Sequence, residues 1–436
     1  MRSRTVVTAA PITAESLVSF HRLIIRPDDD DPDAVVVGRA EIGEFIELPA
    51  VYGEAIRLLR ESLPVSAVEQ RLADEQDVEI DVAELVEALT ELGFVASVDE
   101  HRLPDPRTDA PPVHFPWLTD RHVSWMFSRP MKLAWLLVVG AALVTLVGRP
   151  DLLPHYADFF WGEYVGLTVL VNTAMVSVTL STHEMMHLMA ARSLGVPGRI
   201  GFGTRLHNLV VQTDVTGVWG VPRRSRYRVY LAGMAWDFLL MASLTLLVAH
   251  VALPSLVQAL FQALVVAVLM TIPFQLQVYM RTDLYYVLRD LLRTRNLFDD
   301  GLAFARYLRA RAVARLRRRP CPVEDPTGEL APHERRATRV YSVFLVIGAT
   351  VSLTAFALFA APIAIVALVR ALGAIVDAFN GGSVLPALDS ALLLLIEGAI
   401  QALFVVTFVR NHRHWFRRRR SAPASPEPAG LTSGEA

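Results

Sequence analysis

Six predominantly apolar stretches, near residues 133–148, 165–190, 229–252, 256–280, 341–369 and 387–409, constrain this chain more than any other feature. Several are long enough, as helices, to cross roughly 30 Å of hydrocarbon. The expected fold class is therefore mainly α: a polytopic helical membrane protein with about six transmembrane helices. The first stretch is short. The fifth is overlong and carries Pro362, where a kink or tilt is expected.

The connectors supply an orientation. Seven arginines lie between Arg192 and Arg228 and eleven between Arg281 and Arg319, and the tail carries Arg413 and residues 417–420. The connectors at 149–164, 253–255 and 371–386 are nearly free of them. Positive charge gathers on the cytosolic side, so six crossings with both termini in the cytosol satisfy every connector. The expected location is the inner, cytoplasmic membrane, with the lipid bilayer as partner. Nucleic acid is not needed to explain arginines that flank spans.

The first hundred residues follow a different rule. They are acidic, whereas the whole chain is 53% hydrophobic and carries a formal charge of -2 only as an average of unlike halves. Residues 1–20 hold a short apolar patch that Pro11 and Glu15 interrupt, so a disordered leader strand is expected in place of a signal peptide. The flexible N-terminus is taken to extend to residue 33. Residues 34–47 are β-branched and broken by Gly38 and Gly43, as in a short hairpin. Helical periodicity follows through Val51, Ile56 and Leu59, then Val65, Val68 and Leu72, then Val82, Leu85, Val86 and Leu89, with Gly93 as the stop. Residues 94–98 return to strand character. The order suggests a small α+β winged-helix-like domain over 34–100. A linker with five prolines occupies 101–117, followed by a membrane core over 118–290, a basic cytosolic loop over 291–340, C-terminal membrane helices over 341–412 and a cytosolic tail over 413–436.

Chemistry is concentrated in His183-Glu184-Met185-Met186-His187. Two histidines four residues apart share one helical face and can share one ion, while Glu184 points to the neighbouring side as a general base. Three ionisable groups in five residues of an apolar span carry a desolvation cost that calls for compensation. The one cysteine, Cys321, excludes cysteine-rich zinc sites, so any metal is held by His, Asp or Glu. A catalytic zinc takes three protein ligands. Asp283 is the leading third ligand, because the second and fourth spans run the same way and bring it to the depth of the histidines; pairing with Arg281 or Arg289 is the alternative. Residues 196–221 alternate β-branched residues with glycines and could form a short sheet against which a substrate strand pairs; His207 and Asp214 within it receive no ligand role. Asp389 and Glu397 share one face of the sixth stretch, where a packing contact is the expected reading.

The run from His183 through Ala190-Ala191-Arg192-Ser193-Leu194-Gly195-Val196 resembles the signature helix of the site-2 protease family of membrane zinc metallopeptidases. The resemblance implies His183 and His187 as zinc ligands, Glu184 as catalytic base and Asp283 as the aspartate that completes the site, although Leu284 stands where the family carries glycine. Leu231-Ala232-Gly233-Met234-Ala235-Trp236-Asp237 resembles the family's third core helix, which marks Gly233 and Asp237 as candidates beside the site. Glu47-Leu48-Pro49, Ala55-Ile56-Arg57-Leu58-Leu59 and Leu89-Thr90-Glu91-Leu92-Gly93-Phe94-Val95 resemble the PqqD-like domains that bind leader peptides of modified peptides. The implied function is hydrolysis of peptide bonds in a membrane-associated or leader-bearing substrate near the cytosolic face. A non-catalytic membrane scaffold or export accessory is the competing class, and the intact His183, Glu184 and His187 argue against it.

Overall fold

A computed structural model describes residues 12–105 and 113–418. It is mainly helical. Its N-terminal part holds strands β1 (Val18–Phe20), β2 (Ile24–Pro27), β3 (Ala34–Arg39) and β4 (Glu44–Pro49), then helices α1 (Ala50–Arg60), α2 (Val65–Gln76) and α3 (Val82–Glu91). Strands β5 (Val95–Val98) and β6 (His101–Arg102) follow. Antiparallel pairing gives one sheet in the order β2-β3-β4 and another in the order β1-β5-β6. The apolar positions of the three helices form one core, with Ile56, Leu59, Val68, Leu72, Val86 and Leu89 all fully buried. Asp81 caps α3 by accepting from the Glu84 amide at 2.8 Å, and the helix stops at Gly93, which takes φ +73°.

Two expectations for this region need correction. Residues 12–33 are not a flexible leader: Val18 and Leu23 are buried in the core, β1 pairs with β5 and β2 with β3. A three-residue strand whose partner lies 80 residues away leaves no local signature. Residues 1–11 and 106–112 lie outside the described residues, but the start of the linker, at His101–Arg102, is strand and not spacer.

Beyond the linker come α4 (Asp120–Val123), α5 (Arg129–Gly148) and α6 (Val165–Arg192), then the hairpin of β7 (Arg199–Arg205) and β8 (Asn208–Asp214). Next are α7 (Arg223–Tyr230), α8 (Ala232–His250), α9 (Ser255–Gln275), α10 (Asp283–Leu291) and α11 (Leu297–Leu316). The chain closes with α12 (Pro332–Ala355), α13 (Ala361–Phe379) and α14 (Val384–Arg418). Six helices or helix runs are long and apolar enough to cross a membrane: α5, α6, α8, α9, the run from α12 to α13, and α14. Their outward faces carry leucine, valine and phenylalanine, which water would not tolerate at this density.

The stretch expected at 229–252 is divided: α7 ends at Tyr230 and α8 begins at Ala232. The basic loop expected over 291–340 is also mostly helical, since α11 and the start of α12 fill it. At the fifth stretch, a π-helical turn at Phe356–Ala360 joins α12 to α13, and Pro362 follows it inside the continuous helical run, where its missing N–H removes one backbone hydrogen bond next to the irregular turn. The combined run of 48 residues spans about 72 Å at 1.5 Å per residue, far more than one perpendicular crossing needs.

Asp389 of α14 accepts hydrogen bonds from the Gly166 and Leu167 amides at 2.9 Å each, so a carboxylate from the last helix caps the first turn of α6. A cap of this kind contributes about 1 kcal/mol. The packing role expected for Asp389 is therefore observed. Glu397 lies exposed on the same helix.

The N-terminal part docks on the end of the bundle where α6 ends and α7 and α10 lie. Arg26 donates to the Trp219 carbonyl, Asp29 pairs with Arg226, Asp30 with Arg223 and Arg293, and Glu47 with Arg295. The guanidinium groups of Arg226 and Arg289 both lie over the Trp219 ring, at 4.6 and 4.4 Å from its centre. Buried Asp290 stands between the same two arginines. The hydrogen bond from Arg223 holds the Asp30 carboxyl below the ordinary carboxylate range.

Candidate metal centre

The last turns of α6 carry His183, Glu184 and His187, all buried. Trp236 of α8 donates from Nε1 to Thr182 Oγ1 at 3.0 Å, which locks the two helices together one residue before the first histidine. The Nδ1 of His183 meets Asp237 Oδ2 at 2.8 Å, and the Nδ1 of His187 meets the Val229 carbonyl at 2.7 Å. Both partners only accept, so each Nδ1 carries the proton and each Nε2 presents a lone pair.

Asp283 arrives from the other side. After α9 the chain turns through Val278–Met280, and Arg281 adopts a left-handed φ of 59° that reverses its course. Asp283 is then the first residue of α10, with its amide held by Gln275 Oε1 at 3.0 Å and Thr282 Oγ1 bonded to the Gln275 carbonyl at 2.7 Å. The reversal falls at Arg281, so Leu284 in the place of a glycine is accommodated in the helix.

The result is a triangle. His183 Nε2, His187 Nε2 and Asp283 Oδ2 lie 3.1 Å from one another in each pair. Three lone-pair donors at this separation repel unless a cation stands between them, and one ion at the usual bond length of about 2.0–2.2 Å reaches all three. The cluster could hold a metal ion. Gly233 leaves the room for it: a Cβ there would overlap the His183 ring nitrogen and stand 2.5 Å from His187 Nε2. Asp237, 3% exposed, is thus the partner of a candidate ligand.

Glu184 does not join the triangle. Its Oε2 accepts from Thr213 Oγ1 at 2.7 Å, and the same hydroxyl lies 2.9 Å from the Glu184 carbonyl. Thr213 belongs to β8, so the hairpin expected in residues 196–221 is present and fastened to Glu184. Sequence reasoning missed Thr213, Gln275 and Val229: Thr213 and the Val229 carbonyl act on residues 29 and 42 positions away, and Gln275 reaches Asp283, eight positions on, only because the chain turns back after α9.

The other charged residues of the hairpin are not brought to the metal centre. His207 stacks on Phe356 at 4.5 Å, and burial lowers it below the ordinary histidine range. Asp214 pairs with Arg199 at 2.6 Å and accepts from Thr216; burial would raise its carboxyl, and these partners leave it lowered.

A cavity of about 1550 Å³ joins these parts. Its walls include the three candidate ligands and Glu184, residues 208–215 along β8, apolar side chains of α6 and α9 such as Val176, Leu180 and Leu264, and residues 43–47 of the N-terminal part. No protein-family model, curated protein or solved structure matches this chain.

Proposed function

We propose that the protein is a membrane-embedded zinc metallopeptidase of the site-2 protease type. It crosses the inner membrane six times with both termini in the cytosol, and it cleaves a membrane-associated or leader-bearing peptide near the cytosolic face. The observation that carries this reading is the convergence of His183 Nε2, His187 Nε2 and Asp283 Oδ2 beside an acid, Glu184, that is not one of the three. Two nitrogens and one carboxylate oxygen suit zinc, and three protein ligands leave a position open.

Bound zinc would supply Lewis acidity toward the substrate carbonyl and toward water. The chain's own groups do the rest. His183 and His187 are held in the ligating tautomer by Asp237 and the Val229 carbonyl. Glu184 takes a proton from the attacking water and passes it to the departing amine, so that the C–N bond breaks as a neutral amine leaves. Thr213 fixes the carboxylate from which that transfer starts. The second edge of β8 pairs with no strand among the described residues and lines the cavity, which suits an extended substrate whose carbonyl must be exposed. The free edge of β4 in the N-terminal, PqqD-like part suits binding of a leader segment in the same manner.

The test is metal content by elemental mass spectrometry on detergent-purified wild type, His187→Ala and Asp283→Ala, with cleavage measured for wild type and Glu184→Gln. Near-stoichiometric zinc in wild type, lost in both ligand variants, and cleavage lost with zinc retained in Glu184→Gln are expected. No metal in wild type offered zinc sinks the reading. Full cleavage by Glu184→Gln does the same and removes the assigned base.

A further inference from the structure

The turn between β3 and β4 lies against the segment that follows β8. Strand β4 is terminal in its sheet, β8 is terminal in its own, and residues of both line the one cavity. The start of β4 touches the region just past the end of β8: the Thr216 side chain stands 3.2 Å from the position a Cβ on Gly43 would take. Three residues before Thr216, Thr213 holds Glu184 at 2.7 Å.

These contacts limit a distance. Three residues of chain reach at most about 10 Å, so with side-chain lengths included Gly43 lies within roughly 23 Å of the Glu184 carboxylate. An extended peptide covers that in no more than about seven residues at ~3.3 Å each.

They also impose a direction. A peptide added to β4 in the antiparallel sense, as β3 is, has its N-terminal side toward Pro49 and leaves at Gly43. There it meets the Asp214 end of β8 and can continue antiparallel to that strand, reaching the level of Thr213 and Glu184 after about three residues. A peptide laid parallel to β4 would leave at Pro49, away from this junction.

Resting on the peptidase reading above, we propose that β4 and β8 form one interrupted track for a single extended peptide. The recognised segment lies on β4 antiparallel, and the scissile bond falls about three to seven residues C-terminal to the residue opposite Glu44. The N-terminal part thereby measures the cleavage position as well as recruiting the substrate. Any sequence seated on β4 would be cut at a set offset from its seat, so specificity resides in the seated segment.

The lone cysteine makes a direct test practicable. In a Cys321→Ser background, Glu44→Cys or Pro49→Cys places a single thiol at one or the other exposed end of β4. The probe is a twenty-residue peptide of degenerate sequence with one N-terminal cysteine, attached by a disulfide and analysed by mass spectrometry. From residue 44, cleavage is expected about three to seven residues beyond the tether; from residue 49 the cut moves about five residues farther along. Glu184→Gln in either background leaves the peptide whole. Cleavage at the same place from both tethers, or nearer to the tether at 49 than at 44, overturns the track. If the same peptide is cut when free at millimolar concentration but not when tethered, the track fails and the peptidase reading stands. If zinc-loaded protein cuts neither form, both fall.

Discussion

Gly233 faces the ring nitrogens of His183 and His187 so closely that no side chain fits: a Cβ would overlap the first and stand 2.5 Å from the second. The glycine belongs to α8 and the histidines to α6, so the room at the centre of the triangle depends on the contact of two helices. Gly233→Ala is expected to fold, because one methyl group disturbs a packed site by about 1–3 kcal/mol. It should bind no more zinc than His187→Ala. Full zinc content in a folded Gly233→Ala protein would show that the ion sits elsewhere.

Asp237 holds His183 Nδ1 at 2.8 Å and would act on a bound metal through it. Removing such a partner costs about 10–100-fold in metal affinity, and this is the loss expected for Asp237→Ala in a competition with a zinc chelator. Asp237→Asn should recover most of it, since the amide oxygen still accepts from Nδ1. Oδ1 of Asp237 has no hydrogen-bond partner, which leaves a place for the amide nitrogen. Equal losses in both variants would mean that charge and not tautomer control is what Asp237 supplies.

Thr213 offers a separation of chemistry from metal binding. Thr213→Val removes the donor to Glu184 without touching a ligand, so zinc content should stay unchanged while kcat falls about tenfold, the rate equivalent of ~1.4 kcal/mol. Thr213→Ser should restore the rate. A drop in zinc content in Thr213→Val would instead make the threonine a structural support for α6.

Loss of the Asp30 contacts is expected to weaken the docking of the N-terminal part in acid, opposed in the same interface by Glu47, whose carboxyl is raised by burial. The Asp30 carboxyl is held low by Arg223, so the docked state binds fewer protons than the undocked one. Its contribution is fully present above the ordinary carboxylate value of about 3.9 and is lost as pH falls through the lowered value. Spin labels at Glu61 and Leu316 should report a narrow distance at neutral pH that broadens below about pH 4. In Asp30→Asn the acid transition should be shallower. An unchanged transition in that variant would assign the acid response to another pair.

The sequence was most informative where one element suffices. The four-residue spacing of His183 and His187, the placement of Glu184 beside them, the three amphipathic helices of the N-terminal part and the extent of the apolar helices all follow from the period of a single helix. The hairpin of β7 and β8 was legible from its alternation.

What tertiary structure alone decided is which of these pieces touch. Residue order cannot say that β1 pairs with β5, that Asp389 caps α6, that Thr213 reaches Glu184, or that β4 opens on the cavity of the metal centre. Helices that are apolar on nearly every face carry no mark of the side that meets a neighbour, because transfer from water drives them all alike and only close packing selects the pairing. Asp283 lies between the two cases. Its place just after an apolar helix was visible in the chain, and the turn at Arg281 and the hold of Gln275 are local, but its contacts with His183 and His187, 100 and 96 positions away, exist only once α10 has packed against α6.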